Sequence, residues 1–363
     1  MNLAVVRVSH VLRQLVARLS PSHMATSAVL CRVTNCYCGN KLHGEAVVAQ
    51  PAPAPISETT MQSQLLAPDS SIDAVSPFVE MGAYEALWAR QKTSFKSLAD
   101  LVRESRDTAL SSFVTSDETD SFANRVYDLL KSRGVDDFGV HVRTDSSYPQ
   151  KLLDADHPVE LLYYRGFWDL IYAPSVAIVG TRKPSEEGVR RAQKLAAMLV
   201  QDGYAIVSGL ASGIDTAAHT AAIASGGNTI AVVGTPIGFN YPKENSSLQA
   251  QIENEFLLLS QVPVWRYTQQ GPAGNRLFFP ERNITMAAIT KATVIVEASD
   301  TSGTLIQARA ALKQGRQLFI LESCFNNTSI KWPHKYEQLG AIRVKDYSDI
   351  ARVLGSAEQA LKN

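Results

Sequence analysis

Six short, almost unbroken apolar runs set the strongest limit on how this chain can fold. They are VAIVG (176–180), YAIVS (204–208), NTIAVVG (228–234), EFLLLSQV (255–262), ATVIVEA (292–298) and QLFIL (317–321). A strand with one wet face alternates apolar and polar residues. These runs do not alternate, so both of their faces are expected to be covered. Helical patterns lie between them at 185–203, 213–225 and 304–314. The first of these has acids in its opening turn and Gly203 at its end, a helix start and stop. The alternation predicts an α/β fold, a parallel sheet with helices on both faces. Ligands of such sheets sit beyond the carboxyl ends of the strands, so the chemistry is sought in the loops there.

The loop after the first run, GTRKPS, sets Gly180 beside Arg182 and Lys183. After the second, SGLASGID carries Ser208, Gly209, Ser212, Gly213 and Asp215. A glycine loop between a strand and a helix N-terminus is a ready anion seat, because free N–H groups and the positive helix end face outward. The third loop, GTPIGFNYPKEN, carries Tyr241, Lys243 and Asn245. Before the fifth run, GNRLFFPERNITMAAIT brings Arg276, Phe278, Phe279, Arg282 and Asn283. After it, Ser302, Gly303 and Thr304 open a helix that carries Arg309. Glycines, hydroxyls and cations at one sheet edge suit phosphate, and aromatics beside arginines suit bases. Each residue also has a plainer role. The glycines permit tight turns, and Ser212 and Asp215 have capping-box spacing. Asp215 and His219 are an i, i+4 helix pair, and Phe278 and Phe279 are ordinary core residues.

Several chemistries are disfavoured. No G-x-G-x-x-G follows the first run, and no acid closes the second, so dinucleotide binding is not expected. There is no G-x-x-x-x-G-K-[ST] loop and no G-x-S-x-G elbow. No nucleophile has a credible partner, and neither a catalytic residue, a cofactor nor a metal is expected in this core.

The 363-residue chain has a formal net charge of zero, so any basic site must be local. Residues 1–78 read as a mis-assigned or disordered extension, with Met61 or Met81 as candidate starts. The arginine-bearing opening LAVVRVSHVLRQLVARL alternatively suits a transit peptide. Cys31, Cys36, Cys38 and His43 do not have paired zinc-knuckle spacing. Cys324 reads as a buried thiol, and a single core cysteine suits a reducing cytoplasm. Residues 79–145 read as a small helical domain: Tyr84, Leu87 and Trp88 share a face, and 115–134 has a capped start and a glycine stop. No apolar run is long enough to span a membrane.

The ordered set VAIVGTRKPS, IVSGLASGIDTAAHTAAI, TIAVVGTPIGFNYPKEN, FPERNITMAAIT and VIVEASDTSGTLIQARAALKQGR resembles the DNA-processing protein A family (DprA, also called Smf). The resemblance covers roughly 146–350, within a core read as 146–355. It implies an extended Rossmann-like fold that binds single-stranded DNA and delivers it to RecA recombinase, often in natural transformation. It also implies a homodimer with no established chemical reaction. By motif, Arg182 matches the family's G-[ST]-R arginine, a DNA-phosphate contact. Gly209, Gly213 and Asp215 match the S-G-L-A-x-G-I-D loop. Lys243 and Asn245 match the Y-P-x-x-N segment, and Arg282 and Asn283 the R-N pair. Ser212 stands where the family usually has Lys or Arg. By the resemblance, the winged-helix-like C-terminal domain of many members is not expected after GAIRVKDYSDIARVL. A nucleotide-binding sensor or nucleotide-processing enzyme on the same fold is the alternative.

Overall fold

The computed structural model describes residues 76–106 and 108–355. The sequence extension up to residue 75, with Cys31, Cys36, Cys38 and His43, lies outside the described residues. Nine strands make one sheet: β1 (Gly139–Val142), β2 (Leu161–Gly166), β3 (Ser175–Val179), β4 (Ala205–Ser208), β5 (Thr229–Val233), β6 (Leu257–Ser260), β7 (Ala292–Ile295), β8 (Gln317–Leu321) and β9 (Ile342–Val344). Their spatial order is β1-β2-β6-β5-β4-β3-β7-β8-β9.

The six apolar runs are β3 to β8. The strands from β3 to β7 are buried along their whole length, as their lack of alternation requires. Every pairing from β6 across to β9 is parallel. The all-parallel expectation is corrected at one edge, where β2 runs antiparallel to β6 and β1 antiparallel to β2. Both edge strands are partly exposed, and an antiparallel edge tolerates water on one face. The chain builds outward from β3 through β4, β5 and β6, then crosses to the other side of β3 with β7. The winding direction therefore reverses between β3 and β7, which opens a crevice at their carboxyl ends.

The helices come in two layers. On one face lie α1 (Pro77–Ala89), α2 (Phe95–Glu104) and α3 (Ser116–Ser132). On the other lie α4 (Glu186–Gln201) and α5 (Ile214–Ala224). Next in the chain are α6 (Ser246–Glu255), α7 (Val264–Gln269), α8 (Pro272–Asn275), α9 (Phe278–Ile289) and α10 (Thr304–Lys313). The last three are α11 (Glu322–Phe325), α12 (Trp332–Gln338) and α13 (Tyr347–Leu354). Ser185 caps α4 by accepting from Gly188 N–H, as its acid-rich start implies. No helix among the described residues is long and apolar enough to cross a membrane. Cys324 is buried on α11, its thiol donating to the Val296 carbonyl at 3.5 Å.

Helices α1–α3 and the sheet share one hydrophobic cluster, from Met81 through Tyr163 to Tyr336. Tyr84, Leu87 and Trp88 all point into it. Trp88 meets Phe95 and Phe278 edge-on at 4.8 and 5.8 Å between ring centroids. At the centre of this joint is a carboxylate. Glu85 on α1 accepts from the Tyr163 hydroxyl of β2 and from the backbone N–H groups of Val264 and Trp265 at 2.7 and 2.9 Å. Burial nevertheless dominates and raises its carboxyl to about 7. On the opposite face, burial pushes the His219 imidazole down to about 3. Its Nδ1 lies 2.6 Å from Thr229 Oγ1, whose hydroxyl donates to the Ile206 carbonyl. His219 is thus turned toward β5 instead of pairing with Asp215.

The two groups drive stability in opposite directions with pH. A buried carboxyl of raised pKa stabilises the fold fully below 4.5, and that share is lost as pH rises through 7. A buried imidazole of depressed pKa stabilises it above 6.5, and that share is lost as pH falls through 3. Glu85→Gln should therefore gain stability relative to wild type by about 1.4 kcal/mol per pH unit between pH 4.5 and 7, read as urea midpoints across that range. Equal slopes in the two proteins would refute the assignment.

Candidate nucleic-acid interface

The loops that follow β3, β4, β5 and β7 meet over the crevice and enclose two adjoining clefts. One, of about 430 Å³, is bounded by Gly180–Lys183, Ser302–Thr304, Phe279, Arg282 and Asn283. The other, of about 500 Å³, is bounded by Gly209, Ser212, Gly234, Tyr241–Glu244 and Phe279. Arg182, Ala211, Phe279 and Arg282 form the wall common to both.

That wall is built around one buried cation. Arg282 is 5% exposed on α9. Its Nη1 donates to the carbonyls of Gly209, after β4, and Val232, on β5, the latter at 2.6 Å. Its Nε donates to Asn283 Oδ1 at 2.9 Å. Burial lowers its guanidinium to about 10, against the favourable field of Asp215, so it stays charged at neutral pH. Asp215 is buried too, and its carboxylate accepts from Gly209 N–H at 3.1 Å and Ala211 N–H at 3.4 Å. Burial raises its carboxyl above the ordinary range, opposed by Arg282 and those amides. The loop is held from its carbonyl side by the cation and from its amide side by the anion.

Two glycines are required here. A Cβ on Gly209 would lie 2.2 Å from Arg282 Nη1. Gly213 has φ +84° and would press a Cβ to 2.6 Å from the Thr181 carbonyl.

Phe279 lies against the cation. The Arg182 and Arg282 guanidinium carbons are 5.8 and 5.9 Å from its ring centroid, within cation–π range. Tyr241, 48% exposed, meets Phe279 edge-on at 5.5 Å. Gly234 leaves room for the ring, since a Cβ there would stand 2.6 Å from Phe279 Cδ1. Arg182, Lys183 and Lys243 enter no salt bridge among the described residues. On the far side, Asn283 Nδ2 donates to the Gly303 carbonyl at 3.1 Å, and the Ser302 hydroxyl donates to Thr304 Oγ1 at 2.9 Å.

Most residues singled out from the sequence thus line the clefts, but Ser208, Gly213, Asn245, Arg276, Phe278 and Arg309 do not. Ser208 is fully buried and donates to the Ile178 carbonyl at 2.7 Å. Gly213 lies beneath the loop. Asn245 is buried and donates to the Leu210 carbonyl and to Thr216 Oγ1, both at 2.9 Å. Arg276 follows α8 and lines neither cleft. The capping-box reading of Ser212 and Asp215 is corrected as well. The N-cap of α5 is Gly213, without a side-chain bond, and the Ser212 hydroxyl donates to Glu244 Oε1 at 2.7 Å. That bond and Glu244's own N–H hold the Glu244 carboxyl below its usual range. Of the paired phenylalanines, Phe278 is core as expected, whereas Phe279 lines both clefts. Helical spacing around α9 could have separated them, because neighbours on a helix point about 100° apart.

The fold and the clefts define a doubly wound, Rossmann-like α/β protein with a cation- and glycine-lined crevice at its switch point. The chain belongs to the family of the DNA recombination-mediator protein A, whose model matches residues 139–355. The chain is 39% identical to the DNA processing protein DprA of Streptococcus pneumoniae over 209 residues, 57% of this chain and 71% of that one. It is 40% identical to the protein Smf of Synechocystis over 181 residues, 49% of this chain and 44% of that one. It therefore spans under half the length of the Synechocystis relative. The X-ray structure of S. pneumoniae DprA superposes with a TM-score of 0.61 at 29% identity, covering 77% of this chain and 98% of that one. The DNA processing protein A of Helicobacter pylori, described for its single-stranded DNA binding mode, superposes at 0.52 with 27% identity, covering 60% and 95%.

Gly209 and Gly303 should respond differently to alanine. At Gly209 the added methyl displaces the buried guanidinium, and disrupting a buried charge network costs about 3–5 kcal/mol. At Gly303 the nearest atom to a new Cβ is Asn283 Nδ2 at 4.0 Å, so the change should stay within about 0.5 kcal/mol. Urea unfolding of Gly209→Ala and Gly303→Ala measures both, and similar losses would contradict the contrast.

Proposed function

We propose that this chain holds single-stranded DNA by its phosphate backbone in the two joined clefts and passes it, as a homodimer in the cytoplasm, to a recombinase of the RecA class. The observation that carries the binding reading is the shared wall, a fixed internal cation, an exposed external one and an aromatic face between them. Phosphates would meet Arg182, Lys183 and Lys243, with the charge of Arg282 behind. Phe279 and the exposed Tyr241 offer π-faces that accept any base, so recognition would be independent of sequence. Family membership and the single-stranded DNA binding mode described for the H. pylori protein support this reading. Binding without chemistry is favoured by the state of the acid–base-like pair beside the clefts, Asp215 and His219. Asp215 accepts from two amides and His219 faces Thr229, so neither is free to move a proton for a ligand.

A second reading rests on Ser212. Its hydroxyl holds a carboxylate at the lip of one cleft, where a family cation is expected, and clefts of 430 and 500 Å³ would each admit a single nucleotide.

Fluorescence anisotropy of a labelled single-stranded oligonucleotide separates the two, with mononucleotides and duplex DNA as competitors. Backbone binding gives a steep salt dependence and no displacement by mononucleotides. Displacement by a mononucleotide would overturn it in favour of the nucleotide sensor. Arg182→Ala should weaken all sequences alike and lower the salt slope by about 0.7, the share of one phosphate contact on a single strand. Ser212→Arg should strengthen binding severalfold and raise the slope by a similar amount, about 0.7. Unchanged affinity in both variants would remove the clefts from consideration.

A further inference from the structure

A third cavity, of about 550 Å³, adjoins the cleft below the shared wall, with Ser302, Gly303 and Ile306 as the common boundary. Three cations line it: Arg309 on α10, Lys331 just before α12, and Lys335 on α12. All three are exposed, and none is in a salt bridge among the described residues. One acid stands among them, Asp300, and its carboxylate is bound to backbone amides instead of to any of the three cations. It accepts from the backbone N–H groups of Lys331 and Trp332, each at 3.0 Å to Oδ1. The aromatic residues here are wall and not platform. Trp332 and Tyr336 are buried, bound through Nε1 to the Ala298 carbonyl and through the hydroxyl to the Leu305 carbonyl, both at 3.0 Å.

Like charges gathered from two helices repel one another, and the single charge of Asp300 offsets only one of the three. The boundary toward the first cleft is open, because Gly303 presents no side chain and only Asn283 Nδ2, at 4.0 Å, stands near the position of a Cβ. We infer that Arg309, Lys331 and Lys335 form a second phosphate-binding patch, over which a single strand leaving the Arg182–Phe279 wall continues across Gly303. Contacts there are to the backbone alone, since no aromatic face is free to stack a base. The inference rests on the binding reading above and extends it. The site is a track with a base-stacking end and a purely electrostatic end.

The test uses the full chain and unlabelled-competitor anisotropy with oligothymidylates from about 4 to about 16 nucleotides, the usual span of single-strand sites. Three proteins are compared: wild type, the triple variant Arg309→Ala, Lys331→Ala, Lys335→Ala, and Arg182→Ala. The altered side chains of the triple variant are exposed, and its thermal melt serves as the folding control. The triple variant should match wild type on the shortest oligomers and lose on the order of tenfold on the longest, with its salt slope there reduced by about 2, for three phosphates at about 0.7 each. Arg182→Ala should lose affinity at every length. A triple variant that binds the longest oligomer like wild type overturns the patch. So does one that weakens all lengths equally, because the cations would then act only as a diffuse field. Failure of wild type to bind any length overturns the underlying reading instead.

Discussion

The charge of Arg282, buried behind the loop that follows β4, is the constraint on which the crevice depends. A guanidinium removed from water is stable only if its donors are satisfied and a counter-charge is near. Here the Gly209 and Val232 carbonyls and Asn283 Oδ1 take the donors, and Asp215 supplies the field. The two carbonyls belong to different segments, so one side chain fixes the ends of β4 and β5 to α9. Gly209 follows from this, since the guanidinium occupies the space a Cβ would need. The same bracing leaves the loop with little freedom to adjust when a ligand arrives, and pre-set geometry lowers the ordering cost of binding.

A different buried acid joins the first three helices to the sheet. Glu85 reaches from α1 to the hydroxyl of a β2 tyrosine and to the amides that open α7. Nothing about Glu85 in the sequence distinguishes it from a surface acid, because its partners lie 78 and about 180 residues away. Glu80 works in the same way, accepting from the Leu110 and Ser111 amides. The helical stretch reads as self-contained from its periodicity, yet its core is continuous with that of the sheet.

What was legible in the sequence is what local physics decides. Apolar runs without alternation gave β3 to β8 nearly residue for residue, and glycine and acid signals bounded α4. The sheet-edge convergence of Arg182, Lys183, Gly209, Lys243, Arg282 and Ser302 also followed, since it needs only the rule that ligands sit beyond the strand ends. The edge strands β1, β2 and β9 were missed. β1 and β9 are short, all three are partly wet and mixed in composition, and the longer β2 pairs with β6, far along the chain. The roles of Ser212 and Asp215 were misread for a related reason. Local spacing suggests a cap, but Glu244 and the buried Arg282 compete for the same groups from 32 and 67 positions away. Phe279 differs from Phe278 only in which side of α9 it takes.

Five acids of the described chain share a habit with a wider consequence. Glu80, Glu85, Asp215, Glu297 and Asp300 all accept from backbone N–H groups. A carboxylate bound to amides is not bound to a lysine or an arginine. A chain whose acidic and basic residues are equal in number can therefore keep some cations outside any salt bridge among the described residues, as it does for Arg182, Lys183 and Lys243 at the rim of the crevice. Overall neutrality limits long-range repulsion between copies of the molecule, while the local imbalance draws polyanions at short range. Neutral as a whole, the protein is basic to whatever approaches that one edge.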